Sequence, residues 1–149
     1  MNPGRLAFAV LPVLGAAGIG GYGSRRAPET YARLEKPGWA PPASAFGPVW
    51  TALYAAVAVA GWRVYAASPR ARRLHLAQLA LKAAWTGVFF SAREKPASLA
   101  VIATLDATLA AEIATLARED RVAATLLAPY LAWCGFATAL NASVSEPAP

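Results

Sequence analysis

The sequence predicts an all-α membrane protein, a bundle of five transmembrane helices with a long first loop acting as a lid. Three observations carry this reading. Hydrophobic residues make up 57% of the chain and charged residues 15%, with a mean hydropathy of +0.39. Ordinary soluble domains carry about 25% charged residues. Five apolar runs of about 17–21 residues, each long enough to cross a hydrocarbon layer as a helix, are separated by polar turns. Nothing alternates with period two between turn signals, so no strand pattern competes. In lipid, every backbone polar group has to be paired inside the element that carries it, which favours helices. Residues 1–149 form a single domain, because the loops other than the first are too short to fold separately.

The first run spans about Leu6 to Tyr22 behind Arg5. A basic residue before a short apolar core also fits a signal peptide; the run is read here as a first membrane helix. Pro12 is expected to kink it. Its small residues Ala16/Gly20 and Ala17/Gly21 lie four apart, a spacing that admits a close helix neighbour. The loop from Gly23 to Phe46 carries Arg25, Arg26, Glu29, Tyr31, Arg33, Glu35 and Lys36 before a Trp-Pro-Pro turn. Loops of this length are often lids, and a helical turn is expected over about Glu29 to Leu34.

The second helix is expected from Gly47 to Tyr65, with Gly47 as cap and Pro48 in the first turn. Ser68-Pro69 reads as a cap followed by a first-turn proline. The third helix so started runs to about Phe90, behind Arg70, Arg72 and Arg73. Arg93-Glu94-Lys95 is a polar turn, and Pro96 starts a fourth helix lasting to about Ala117. In the next turn, Arg118-Glu-Asp-Arg121, Asp120 is the N-cap of a fifth helix over about Val122 to Leu140, which contains Pro129. Seven Arg and Lys fall on the N-terminal side of the bundle and six on the other, so the positive-inside rule does not orient it.

The formal net charge is +6. The basic residues cluster between apolar runs, as loops facing anionic headgroups do. No basic surface separates from the apolar segments, so a nucleic-acid partner is excluded. One cysteine, Cys134, and one histidine, His75, leave no ligand set for a metal.

Ionisable residues inside a membrane are functional suspects, since each costs about 2.5–3.5 kcal/mol on insertion scales. Here they are Lys82, Asp106 and Glu112, with His75 near an edge. The third and fourth helices are joined by a tight turn and run antiparallel. Counting outward from that turn, Lys82 comes to the depth of Asp106, and His75 to that of Glu112. Two readings follow. Opposite groups at one depth pair and lock helix register, or they hold a ligand carboxylate or relay a proton.

Aromatic residues form a second pattern. Trp39, Trp50 and Tyr54 lie at the loop and the start of the second helix; Trp85, Phe89 and Phe90 lie on the third; Tyr130, Trp133 and Phe136 lie on the fifth. They are compatible with an interfacial belt, with packing between helices, or with one pocket under the long loop. Periodicity alone does not separate these.

Four stretches resolve the choice by resemblance: Leu34-Glu-Lys-Pro-Gly-Trp-Ala-Pro-Pro42, Phe46-Gly-Pro-Val-Trp-Thr-Ala-Leu-Tyr54, Trp85-Thr-Gly-Val-Phe-Phe-Ser-Ala-Arg93 and Pro129-Tyr-Leu-Ala-Trp-Cys-Gly-Phe-Ala-Thr-Ala-Leu-Asn141. In order and spacing they resemble the TspO/MBR family, the tryptophan-rich sensory and translocator proteins that include the peripheral-type benzodiazepine receptor. The resemblance implies a five-helix transmembrane bundle, often dimeric, that binds tetrapyrroles such as protoporphyrin IX and synthetic benzodiazepine-site ligands under the first loop. The porphyrin is a ligand, and no cofactor is required.

Positions matching the family's pocket are Tyr31, Trp39, Pro41, Trp50, Tyr54, Trp85, Phe89, Trp133 and Ala137. Some members degrade porphyrin in light, with tryptophans matching Trp50 and Trp133 implicated; these two are the catalytic candidates if porphyrin is degraded. Regulation of another membrane protein is a third possibility. The chain departs from the family in two places. Lys82 stands where many members carry asparagine, and a cation there attracts a propionate or is consumed by Asp106. The sterol-recognition pattern of animal members is missing from Asn141-Ala-Ser-Val-Ser-Glu-Pro, so the resemblance does not carry sterol binding. A homodimer is expected through the small residues Ala80/Ala84 and Ala83/Gly87 of the third helix, or Ala16/Gly20 of the first.

Overall fold

Three helix starts follow the capping chemistry of the sequence. In the computed structural model, which describes residues 2–23, 31–32, 34–86, 88–89 and 95–143, five α-helices form: α1 (Pro3–Gly23), α2 (Phe46–Tyr65), α3 (Pro69–Thr86), α4 (Lys95–Glu119) and α5 (Arg121–Ser143). A short 3-10 turn at Ala43–Ala45 leads into α2. Among the described residues no strand forms.

The first helix starts three residues before the expected Leu6, because Asn2 caps it. The Asn2 Oδ1 accepts the Arg5 amide at 3.1 Å, and Pro3 takes the first helical position, where a missing N–H costs nothing. The cap of α2 differs from the expected Gly47. The helix begins at Phe46 behind Ala45, with no side-chain cap. Pro48 still falls in the first turn, where amides have no intrahelical acceptor.

Ser68 caps α3 as expected, accepting the Ala71 amide at 3.1 Å and donating to Glu119 Oε2 at 2.8 Å. Asp120 caps α5, with Oδ1 accepting the amides of Val122 and Ala123 at 3.1 and 3.2 Å. It also pairs with Arg63 Nε at 3.0 Å, which ties the end of α2 to the α4–α5 turn. Regular α-helix in α3 stops at Thr86, and residues 88–89 form a wider, π-type turn. Most of the expected turn over Glu29 to Leu34, together with Gly87, Phe90 and the Arg93-Glu94 turn, lies outside the described residues.

The helices form a ring in the order α1, α2, α5, α4, α3 and back to α1, with α2 also touching α3 across the middle. Val57, Ala60 and Val64 of α2, Leu105, Leu109 and Leu116 of α4, and Leu127 and Tyr130 of α5 are wholly buried between them. Their three- and four-residue spacing is that of one helix face. Leu11, Leu14 and Ile19 of α1, Val59 of α2 and Leu76 of α3 point outward. That is the inverse of a soluble surface and suits a lipid surround. By length and composition α4 and α5 are each apolar enough to cross a membrane, and Pro3–Ile19 is a shorter apolar stretch. Of the small-residue pairs, Ala16 and Ala83 turn into the bundle, whereas Ala80 and Ala84 are exposed.

Polar residues lie on the inner face of α3. His75, Gln78, Lys82 and Thr86 are all buried. The His75–Glu112 pair forms as the depth count predicts, with Nδ1 and Oε2 2.7 Å apart and neither side chain exposed. A Cβ on Gly61 of α2 would lie 3.0 Å from His75 Nε2 and 3.2 Å from the Ala9 Cα, so only glycine lets α1, α2 and α3 meet this closely.

The expected Lys82–Asp106 pair does not form. Asp106 accepts the Thr138 hydroxyl of α5 at 2.6 Å, and Lys82 Nζ donates to Thr86 Oγ1 at 2.7 Å. The reason is azimuth. His75 and Lys82 are seven residues apart and nearly eclipsed on α3, whereas Glu112 and Asp106 are six apart, about 120° away from each other round α4. Once His75 faces Glu112, Asp106 cannot face Lys82.

Two outcomes test this frame. Replacing His75 by Leu strands a buried carboxyl and should cost about 3 kcal/mol, whereas the His75→Leu/Glu112→Leu double change should cost less than either single change. Thermal unfolding in detergent reads the cycle, and additive losses would show the pair is uncoupled.

At Asp120, burial disfavours the charge. The Ala123 amide, the Arg63 guanidinium and the Val122 amide outweigh it and hold the carboxyl below its ordinary range. A lowered folded-state value adds stability above the unfolded value and loses it as pH falls. Asp120→Ala should therefore cost about 1 kcal/mol at neutral pH. The gap to wild type should close below about pH 4, and a constant gap would refute the charge contribution.

Candidate functional site

Where α2 begins and α3 and α5 approach their ends, aromatic residues meet. Phe46, Trp50 and Tyr54 recur every four residues on α2; Lys82, Trp85 and Phe89 come from α3; Tyr130, Trp133 and Ala137 come from α5. Each set lies along one helix face. Trp50 is the hub, its ring centroid 5.8 Å from Tyr54, 6.1 Å from Tyr130 and 6.3 Å from Trp133. The last two contacts are close to perpendicular, the arrangement that sets a ring's positive edge against a negative face. From Trp133 the cluster continues to Phe136 at 5.1 Å and Phe46 at 6.1 Å. Phe136 contacts Trp39 at 5.7 Å, and Phe46 contacts Tyr31 at 5.1 Å. Trp85 and Phe89 stack on each other, with centroids 5.4 Å apart.

Lys82 joins the two groups of rings. Its ammonium lies 4.1 Å from the Trp50 ring centroid, 5.5 Å from that of Trp85 and 5.9 Å from that of Tyr54. The first distance is a close cation–π contact.

The loop residues are held to one another by hydrogen bonds and meet the cluster through the Tyr31–Phe46 and Trp39–Phe136 ring contacts. The Tyr31 hydroxyl donates to the Pro41 carbonyl at 2.5 Å. Lys36 Nζ donates to the carbonyls of Tyr31 and Leu34 at 2.6 and 3.0 Å and lies over the Tyr31 ring. Burial raises the Tyr31 phenol above its ordinary value, which keeps it a neutral donor. The Trp85 indole donates to Asn141 Oδ1 at 2.9 Å, joining α3 to the end of α5. Among the described residues, the buried Trp133 Nε1 and Tyr130 Oη have no protein partner. The site is therefore an apolar wall of rings carrying hydrogen-bond donors. Such a surface suits a flat apolar body with acceptors at its edge.

All the residues expected from sequence lie in or beside this cluster. Lys82 lies against Trp50, Tyr54 and Trp85, Trp133 contacts Trp50, and Phe89 is stacked on Trp85. Tyr31, Pro41 and Trp39 reach it from the loop, Trp39 remaining exposed at the edge, and Ala137 is buried on the inner face of α5. Sequence reasoning left Tyr130 and Phe136 as possible lining of one pocket and did not bring Phe46, Thr86 or Asn141 to the site. A signal existed for most of them: Phe46 precedes Trp50 by four residues, Tyr130 precedes Trp133 by three, and Thr86 follows Lys82 by four.

Known proteins resemble this chain over most of its length. The family profile described as TspO/MBR family matches residues 8–146. The chain is 38% identical over 120 residues to the translocator protein of Homo sapiens, covering 74% of this chain and 70% of that one. It is 37% identical over 115 residues to the tryptophan-rich sensory protein of Cereibacter sphaeroides, covering 76% and 73%. With the tryptophan-rich protein TspO of Archaeoglobus fulgidus it shares 32% identity over 149 residues, 97% of both chains.

Proposed function

The chain belongs to the TspO/MBR family, and on that premise we propose that it is a multi-pass membrane receptor or translocator-like protein that binds a tetrapyrrole of the protoporphyrin IX type. The ligand lies among the rings of α2, α3 and α5, beneath the loop residues Tyr31, Trp39 and Pro41. The observation that supports this most is the meeting of Trp50 and Trp133, 6.3 Å apart, with Tyr54 and Tyr130 on the same hub. Two indoles from different helices offer the area and polarisability that a macrocycle needs. Binding requires no cofactor, and turnover is not part of this reading. Product absorbance that appears only under illumination would add light-dependent degradation by Trp50 and Trp133.

Loss of either indole removes one wall. Trp50→Ala and Trp133→Ala should each weaken protoporphyrin IX binding about tenfold. The porphyrin's own absorbance band reads the titration in detergent, since the mutations change the protein's emission. Unchanged affinity in both single variants and in the double variant would refute the site.

The same reading includes a homodimer through the outward face of α3, where Ala80 and Ala84 are exposed. Small residues let two backbones approach. Ala84→Leu should then give monomers in light scattering, and a persistent dimer would exclude this face.

A further inference from the structure

Lys82 is not explained by ring packing alone. Its side chain belongs to a residue only 4% exposed. Of the three donors on its ammonium, one goes to Thr86 Oγ1 at 2.7 Å. Thr86 in turn donates to the Lys82 carbonyl at 3.0 Å, which turns its lone pairs toward the ammonium. The remaining neighbours within cation–π range are the faces of Trp50, Trp85 and Tyr54.

None of these carries a negative charge. Among the described residues no carboxylate lies within ion-pair distance of Lys82. Asp106, the carboxylate at its depth, is turned toward α5 and held by Thr138. Ring faces and one hydroxyl lower the cost of burying the cation but do not cancel it, since a buried charge is stable when paired. The second cation near the rings, Lys36, is differently placed: it is only half-buried and its ammonium serves two backbone carbonyls.

We propose that Lys82 is the anion-recognition point of the aromatic site, and that the ligand class is a flat aromatic carboxylate. One carboxylate of the ligand accepts from the remaining donors of the Lys82 ammonium, which Thr86 Oγ1 steadies by accepting the other, while the ring system lies against Trp50. Lys82 thereby sets specificity, favouring free acids over esters or alcohols of the same shape. This rests on the binding reading of the same site, but it concerns the charge of the ligand and not its ring system.

Two matched probe pairs separate the two ideas, titrated against the full chain in a neutral detergent: protoporphyrin IX with its dimethyl ester, and 1-pyrenebutyrate with 1-pyrenebutanol. Each acid should bind at least about tenfold tighter than its neutral counterpart, as a charge-assisted pair predicts. The preference should persist at high salt, because a buried pair is screened little. Lys82→Met should abolish it by weakening the acids alone, and Thr86→Val should reduce it. Equal binding of acid and neutral forms by the wild type overturns the proposal, as does a preference that survives in Lys82→Met or vanishes in salt. Should Lys82→Met fail to fold, the wild-type comparison in low and high salt decides. If neither tetrapyrrole binds while 1-pyrenebutyrate keeps its Lys82-dependent advantage, the tetrapyrrole reading fails and the anion inference stands.

Discussion

A polar side chain buried among apolar helices is costly without a partner, and the pairs that α3 makes organise this protein, although the Gln78 amide is buried with none among the described residues. That helix turns His75, Gln78, Lys82 and Thr86 inward. The His75–Glu112 contact fixes the register of α3 against α4. Gly61 lets α2 and the Ala9 backbone of α1 close on the other side of the same imidazole. With register and approach fixed at that level, the next three turns of α3 carry Lys82, Trp85 and Thr86 to the aromatic end of the bundle. A slip of one residue would rotate all of them by about 100°. Structural pairing at one level thus positions the aromatic cluster and Lys82 at another.

The two ends of the bundle differ in kind. At the end of α2 and the starts of α3 and α5, charged and capping groups bond to one another and to backbone: Arg63 with Asp120, Ser68 with Glu119, and Arg72 with the Tyr65 carbonyl. Arg5 also lies over the Trp62 ring. This end is closed by its own contacts. At the opposite end rings predominate, and donors such as Trp133 Nε1 are not consumed by protein among the described residues. The contrast supports the proposal of a binding site at the aromatic end.

The helices were readable from the chain because apolar runs and caps are local signals. Ser68-Pro69 and Asp120 act as their residue types predict. Asn2-Pro3 carried the same signal and was passed over, while α2 starts without a side-chain cap, so no local rule would have placed it at Phe46. Depth was readable by counting from a turn, but azimuth was not used. The six-residue step from Asp106 to Glu112 already excludes a Lys82–Asp106 pair once His75 faces Glu112. The inward turn of Ala16 and Ala83 is a similar case, because spacing gives a stripe of small residues but not the side of the helix that faces the bundle. The site residues were named by resemblance to the family. Phe46, Tyr130 and Phe136 stand three or four residues from named site residues in the chain, but that their rings join them into one cluster is a tertiary fact.

The most direct measurement is an experimental structure of the chain with protoporphyrin IX bound. The account predicts the macrocycle against Trp50 and Trp133, with one propionate within hydrogen-bond distance of Lys82 Nζ. A macrocycle bound elsewhere on the bundle, or propionates facing solvent while Lys82 stays on Thr86 alone, would contradict it.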